Sequence, residues 1–78
     1  MNPDALREHL DKKPFEPFRL FLSDGAMYDA THPDLCMVSH RTVYIGFPDR
    51  KRQWLAARVA HCALIHITRI EPLDGQTG

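Results

Sequence analysis

The sequence predicts a small, mainly β protein: an antiparallel barrel or half-barrel of five to six short strands with one short N-terminal helix. Three observations support this prediction. Apolar residues recur at every second position from Phe18 onward, Asp24-Gly25 interrupts that alternation, and a helical spacing of apolar residues falls near the N-terminus. Short alternating runs separated by turn signals are typical of small β-domains.

The length of 78 residues indicates one domain, which we place at residues 1–74, followed by a flexible tail at 75–78. A chain of this size buries roughly 60–65% of the surface that its unfolded form exposes. Its stability is therefore expected to be marginal unless a disulfide, a metal or self-association adds to it. The composition, 44% hydrophobic and 26% charged, is typical of a globular protein.

Ten basic side chains balance ten acidic ones. Because duplex binding depends on clustered Lys and Arg, this balance argues against a dedicated nucleic-acid binder, although a local basic patch is compatible with it. No apolar run approaches the ~20 residues that span a bilayer, and residues 1–4 lack the layout of a signal peptide. We therefore expect a cytoplasmic protein without a membrane partner, in which Cys36 and Cys62 are reduced and buried.

The first element is a helix predicted over about residues 3–12. Asn2 or Asp4 can cap it, because their side-chain oxygens accept hydrogen bonds from free N–H groups of the first turn. Leu6 and Leu10 lie four residues apart and share one face. Since so short a helix is unstable alone, this face must cover another element.

The strands follow from the alternation. Phe18, Leu20 and Leu22 point to one side of the first strand, and Asp24-Gly25 predicts a hairpin turn because glycine accepts positive φ. His32-Pro33 predicts a bend, with the imidazole bonded to nearby backbone. The remaining strands are predicted at 26–31, 35–39, 42–47 and 54–60, with a solvated loop at 48–53, a helical turn at 63–65 and a last short strand after it.

Several short motifs carry family resemblances. Leu20, Leu22, Gly25, Tyr28 and Ala30, together with Ile67 to Pro72, follow a pattern that resembles the SH3-like and Sm-like small barrels. The blocks Pro14-Phe15, Pro17 to Leu20, Asp24-Gly25, His32-Pro33 and His66 to Leu73 resemble a set of small uncharacterised bacterial proteins. Both resemblances imply a small β-barrel fold.

The sequence departs from Sm-like RNA binders at three places. Ala30 stands where that family usually has glycine, and Ile65-His66 stands where its bacterial RNA chaperone has a Lys-His pair. The Arg-Gly of the archaeal and eukaryotic last-strand motif is absent as well. The resemblance therefore implies the fold more strongly than RNA binding, because function depends on sites rather than on folds.

Large aromatic residues outnumber those that one face of a short strand can bury. Phe15, Phe21, Tyr44 and Phe47 are therefore candidates for a contact between subunits, with Phe21 alternatively under the helix. The leading hypothesis is a non-catalytic interaction module that binds its own copies or another protein along open strand edges.

The most basic segment of the chain surrounds its tryptophan. Its residues are Arg50, Lys51, Arg52, Trp54 and Arg58, and Arg41 could extend it. Basic side chains with an interleaved aromatic can follow a phosphate backbone and stack a base. The first alternative is therefore an Sm-like nucleic-acid-binding protein, while the segment is also compatible with a solvated loop.

Cysteine and histidine recur with the spacing Cys36-x-x-x-His40 and Cys62-x-x-x-His66. Two thiolates and two imidazoles suit zinc, but residues 36 and 40 of a strand lie about 13 Å apart. Cys62 and His66, on a helical turn, could meet, and a small zinc- or thiol-dependent protein centred on them is the second alternative. The sequence has no phosphate-binding loop, so no cofactor and no enzymatic activity are predicted.

Overall fold

In the computed structural model, which describes residues 1–73, the chain begins with helix α1 at Pro3–Leu10. Oδ1 of Asn2 accepts a hydrogen bond from a backbone N–H of the first turn at 2.7 Å, so Asn2 is the N-cap. Leu6 and Leu10 are buried in the core. The predicted helix, its cap and its buried face are confirmed.

Six strands follow the helix. They are β1 Phe18–Leu22, β2 Met27–Ala30, β3 Cys36–Val38, β4 Thr42–Pro48, β5 Ala56–Ala63 and β6 Ile67–Pro72. Two 3-10 helices, Pro33–Leu35 and Leu64–His66, connect β2 to β3 and β5 to β6. The first sheet has the order β2-β1-β6 and the second sheet the order β3-β4-β5, and all pairs are antiparallel. The prediction of a mainly β fold with one short N-terminal helix is confirmed.

The predicted hairpin joins β1 to β2. Gly25 has a φ of 92°, which glycine adopts without steric cost. Oδ1 of Asp24 accepts a hydrogen bond from the N–H of Ala26 at 2.9 Å, and the N–H of Gly25 donates to the carbonyl of Leu22 at 3.0 Å. The turn thereby sets the register of β1 against β2.

The predicted bend at His32-Pro33 leads the chain from the first sheet to the second. Nδ1 of His32 accepts a hydrogen bond from the N–H of Asp34 at 3.1 Å and caps the 3-10 helix at Pro33–Leu35. The imidazole is thus bonded to nearby backbone, as predicted, and no strand pair joins β2 to β3 within residues 1–73.

The fifth strand was predicted at 54–60, and both of its ends are wrong. Asp49 closes the preceding loop, since its carboxylate accepts from two backbone N–H groups and its own N–H donates to the carbonyl of Leu55. Pairing with β4 therefore begins at Ala56. At the other end, the register places Cys62 opposite Val43 and Ala63 opposite Thr42, so the strand extends to Ala63. The helical turn predicted at 63–65 is the 3-10 helix Leu64–His66.

The core lies between the two sheets and under α1. Its largest fully buried side chains are Leu6 from the helix, Phe18 and Leu20 from β1, and Val43 and Ile45 from β4. Within residues 1–73, β5 and β6 are not paired with each other, so the two sheets form a half-barrel that is open between these strands.

Two further predictions concern the C-terminal tail and the absence of a membrane partner. The tail predicted at 75–78 lies outside the described residues. Within residues 1–73, no helix has the length and apolar character needed to cross a membrane.

Replacing a fully buried side chain tests this core. Leu20→Ala should lower the free energy of unfolding by about 2–5 kcal/mol, because it removes buried methyl groups and leaves a cavity between the sheets. Met27→Ala, on the exposed side of β2, should change the free energy of unfolding by less than about 0.5 kcal/mol. Urea denaturation followed by circular dichroism measures both, and equal losses would contradict the assigned core.

Candidate interaction surface

The outer face of the second sheet consists of residues that alternate with the core. Val43 and Ile45 of β4 point inward, so their neighbours along the strand point outward. The outward residues are Met37 on β3, Thr42, Tyr44 and Gly46 on β4, and Val59, His61 and Ala63 on β5. None of these positions carries Lys, Arg, Asp or Glu. This charge-free face is the candidate interaction surface.

A shallow groove of about 260 Å³ crosses this face at Gly46. A side chain there would place its Cβ atom 3.0 Å from Cβ of Ala56 and 3.3 Å from Cδ2 of Leu35. Glycine therefore allows Leu35 to pack closely over the outer side of β4. Met37 and Val59 form further apolar walls of the groove, and Asp34, from the 3-10 helix before β3, also lines it.

The apolar side chains of the charge-free face are open to solvent. Met37 is 61% exposed and Val59 is 50% exposed. Tyr44 is half-buried, and its ring packs edge-on against His61 with the ring centres 4.8 Å apart. Grouped apolar and aromatic side chains without charges are typical of the central part of a protein–protein interface.

The outer face of the first sheet has the opposite character. Arg19 donates two hydrogen bonds to Asp29, at 2.7 and 3.2 Å, and Arg69 donates one to Glu71 at 2.7 Å. The guanidinium of Arg69 also lies 3.9 Å from the ring centre of Phe21. Phe21, a predicted interface residue, is thus covered by Arg69 on the outer face and does not lie under α1. The charges of this face are paired with one another.

The free edge of β5 borders the charge-free face. Within residues 1–73, β5 is paired with β4 alone, and its eight residues form the longest strand of the protein. The other edge strands are shorter: β2 has four residues, β3 has three, and β6 has six and ends at Pro72. β5 contains no proline and no acidic residue, and Arg58 is its only Lys or Arg. The register against β4 shifts at Ala57, which is an irregularity near the start of the strand. From Arg58 onward the edge has few of the features that usually prevent pairing with another strand.

Two predicted interface aromatics belong to the inner side of the fold. Phe47 follows Val43 and Ile45 on the inward side of β4, and the Arg58 guanidinium lies 4.3 Å from its ring centre. Phe15 packs on the core, with its ring centre 6.1 Å from that of Phe18. Of the four predicted aromatics, Tyr44 alone lies on the charge-free face.

Two residues of the surface were missed by the sequence analysis, although a signal for them exists. Met37 and Val59 occupy alternate positions within predicted strands, opposite in phase to the buried residues. An apolar residue at an outward position is a sign of an interface when its cross-strand neighbours are uncharged as well. Finding those neighbours requires the register, which pairs Met37 with Tyr44 and Gly46 with Val59.

The predicted basic segment forms the loop between β4 and β5. Arg50, Lys51, Arg52 and Trp54 are all exposed there, and Trp54 is 61% exposed. The carboxylate of Asp49 accepts hydrogen bonds from the N–H groups of Lys51 and Arg52 at 3.0 and 3.2 Å. Within residues 1–73, none of the three basic side chains forms an ion pair with a carboxylate.

Two of the predicted residues lie outside this basic loop. Arg41 precedes β4, so the length of that strand places it about 23 Å from the loop. Arg58 lies on β5 with its guanidinium over Phe47. The six predicted nucleic-acid residues therefore do not form one patch, and four of them share the loop.

The predicted pair of Cys62 and His66 is divided between two elements. Cys62 is buried on the inward side of β5, whereas His66 is exposed on the following 3-10 helix. Nδ1 of His66 lies 3.3 Å from Oγ of Ser23. In the described part of the chain, no three His, Cys, Asp or Glu side chains are arranged to hold a metal ion.

Both thiols have raised pKa values. Burial raises the pKa of Cys36 to about 11. Burial, and secondarily the carboxylate of Asp24, raises the pKa of Cys62 above its ordinary value. A nucleophilic cysteine requires a lowered pKa, so these surroundings favour packing over thiol chemistry.

Comparison of the chain with protein-family models, with curated proteins and with solved structures gives no significant match. The functional argument therefore depends on the geometry of the surfaces described above.

The raised pKa of Cys36 predicts a loss of stability in alkaline solution. The unfolded thiol ionises near 9.0 and the folded thiol near 11, so the unfolded state loses its proton first. The stabilisation by the neutral thiol is complete below pH 9 and is lost as the pH rises through 11. Urea denaturation across this range should show a steeper fall in the free energy of unfolding for the natural protein than for Cys36→Ala. Parallel curves would contradict the assignment.

Proposed function

We propose that this protein is a non-catalytic interaction module that associates with further copies of itself through the second sheet. The observation that carries the proposal is the position of the free β5 edge beside the charge-free face. An incoming strand can bond to the backbone of β5, and the adjoining apolar side chains can be buried without desolvating a charged side chain of the sheet face itself.

The energetics of the two outer faces favour the second sheet as the contact. Burial of the first sheet's face would desolvate two ion pairs, whose attraction does not reliably repay that penalty. Burial of Met37 and Val59 removes apolar surface from water, at about 25 cal/mol per Å². A small domain also gains stability when association adds to its limited core.

We further propose that the half-barrel is of the SH3-like or Sm-like type and that the protein is cytoplasmic. The first proposal is supported by the order of elements, a short helix and then short antiparallel strands connected by turns and 3-10 helices. The second is supported by Cys36 and Cys62, which are both free. The raised pKa values of these thiols argue against a cysteine nucleophile.

A charge on the proposed surface should prevent association. Val59→Asp should weaken association at least tenfold, because it removes apolar burial and introduces like charges where the copies meet, a cost of about 1.5–2 kcal/mol together. Met27→Asp is the matched control, since Met27 is similarly exposed at 54% on the first sheet. Sedimentation over a concentration series measures the association constant of each variant.

Two outcomes of this experiment oppose the proposal. A natural protein that stays monomeric at millimolar concentration would remove self-association altogether. Equal weakening by Met27→Asp would move the contact away from the second sheet. Circular dichroism of both variants verifies that they are folded.

A second candidate function, binding of single-stranded nucleic acid, is supported by the basic loop. Three basic side chains without carboxylate partners in residues 1–73 flank a tryptophan that is 61% exposed. Such a loop can attract phosphates and stack one base on the indole ring. It lies at one end of β4, so this candidate is compatible with self-association along β5.

Fluorescence of Trp54 tests this second candidate. Addition of a ten-nucleotide oligouridylate should quench the emission at low salt, with an affinity that falls as salt is added. Arg52→Ala should reduce the affinity, whereas Arg41→Ala should not, because Arg41 lies at the other end of β4. The candidate fails if emission is unchanged at low salt, and an equal effect of Arg41→Ala would contradict binding at the loop.

A further inference from the structure

We infer that two copies of this protein pair antiparallel along β5, about a two-fold axis that passes at Val59 or at Ala60. This inference rests on the proposed function and specifies its partner and its register. The contact involves β5 alone, because in a two-fold dimer the same strand edge of each copy forms the interface.

The alternation of side chains limits the possible registers. In an antiparallel pair, residues directly opposite each other point to the same side of the sheet. Val59 and His61 point outward, and Arg58, Ala60 and Cys62 point inward. If an outward residue of one copy lay opposite an inward residue of the other, the outer faces of the two copies would lie on opposite sides of the joined sheet. Such a register is therefore not allowed.

The length of β5 then determines which of its residues lies at the two-fold axis. The middle of Ala56–Ala63 falls between Val59 and Ala60, which point to opposite sides. Complete overlap of the two strands is therefore excluded. The nearest allowed registers oppose either Val59 to its own copy or Ala60 to its own copy. Each leaves one residue of β5 outside the overlap, and the irregularity at Ala57, which has no partner on β4, falls at or next to the end of the overlap in both registers.

Charge and length of overlap together restrict the pairing to these two registers. In the first, Arg58 lies opposite Ala60 of the second copy, and in the second it lies opposite Cys62. A further shift in one direction would oppose Arg58 to itself, and like charges directly opposite each other are destabilising. A further shift in the other direction would oppose His61 to itself and shorten the overlap.

The side chains of β5 permit close approach of a second strand. Four of its eight residues are alanine, and the guanidinium of Arg58 lies over Phe47. The resulting assembly is a continuous six-stranded sheet with β5 of each copy at its centre. Its outer face joins the two charge-free faces, and the grooves at Gly46 open on the same side.

A second copy is a better occupant of this edge than an unrelated strand. The two-fold arrangement satisfies the longest free edge of both molecules at once and closes at the dimer. Pairing of β5 with a different strand of the next copy would leave one edge free at each end and would continue to larger assemblies.

Engineered disulfides test the register. Val59→Cys and Ala60→Cys are oxidised separately in the otherwise natural chain, whose own thiols are buried. Cβ atoms of directly opposed residues lie about 4.5–5.5 Å apart, near the separation that a disulfide requires. Ile65→Cys is the control, because Ile65 is 82% exposed on the 3-10 helix after β5. Covalent dimer is measured on non-reducing gels, and the native mass is measured in parallel.

The expected result is a dimeric native mass with at least tenfold faster cross-linking of one β5 variant than of Ile65→Cys. A dimeric mass without this preference would overturn the β5 arrangement and leave self-association standing. A native mass above the dimer would overturn the two-fold closure. A monomeric mass at every concentration would overturn both the arrangement and the proposed function.

Discussion

The contact between the inward side chains of β1 and β4 is the interaction on which the rest of the structure depends. Phe18 and Leu20 from the first sheet and Val43 and Ile45 from the second are at most 1% exposed. Because side chains alternate along a strand, burial of these four residues decides which side of each sheet faces outward. Helix α1 closes the core with Leu6, and the remaining surfaces are those that this packing leaves outside.

The two outer faces therefore differ in charge, because different residues of each sheet point outward. On the first sheet, the outward residues of β1 and its neighbours include Arg19, Asp29, Arg69 and Glu71, which pair with one another. On the second sheet, the outward residues are uncharged. Gly46 has no side chain there, so Leu35 packs directly against the backbone of β4. A face whose charges are already paired has little to gain from a partner, whereas exposed apolar groups gain from leaving water.

The same packing accounts for the properties of the thiols and of the basic loop. Cys36 and Cys62 point into the core from β3 and β5, where burial favours the neutral thiol. The loop after β4 projects its basic side chains into solvent, because hydrogen bonds to Asp49 hold its backbone in a turn. The free β5 edge follows from the openness of the half-barrel, in which the Leu64–His66 turn leads the chain into β6 without strand pairing to β5.

The sequence by itself determined the elements whose signals are local. Asn2 at the helix start, Gly25 in the hairpin, His32 at the bend and the alternation around Leu20 each act through neighbouring backbone or through the strand period, so their effects can be predicted without the fold. The register of β4 against β5 was decided by tertiary structure, because it depends on where Asp49 closes the loop and on the match of Cys62 to Val43 in the core. That register placed Cys62 on β5 and His66 on the 3-10 helix after it, left Arg58 on the strand and outside the basic loop, and brought Tyr44, His61 and Val59 onto one face. Cross-strand neighbours are far apart in sequence, and no local pattern specifies which of them meet.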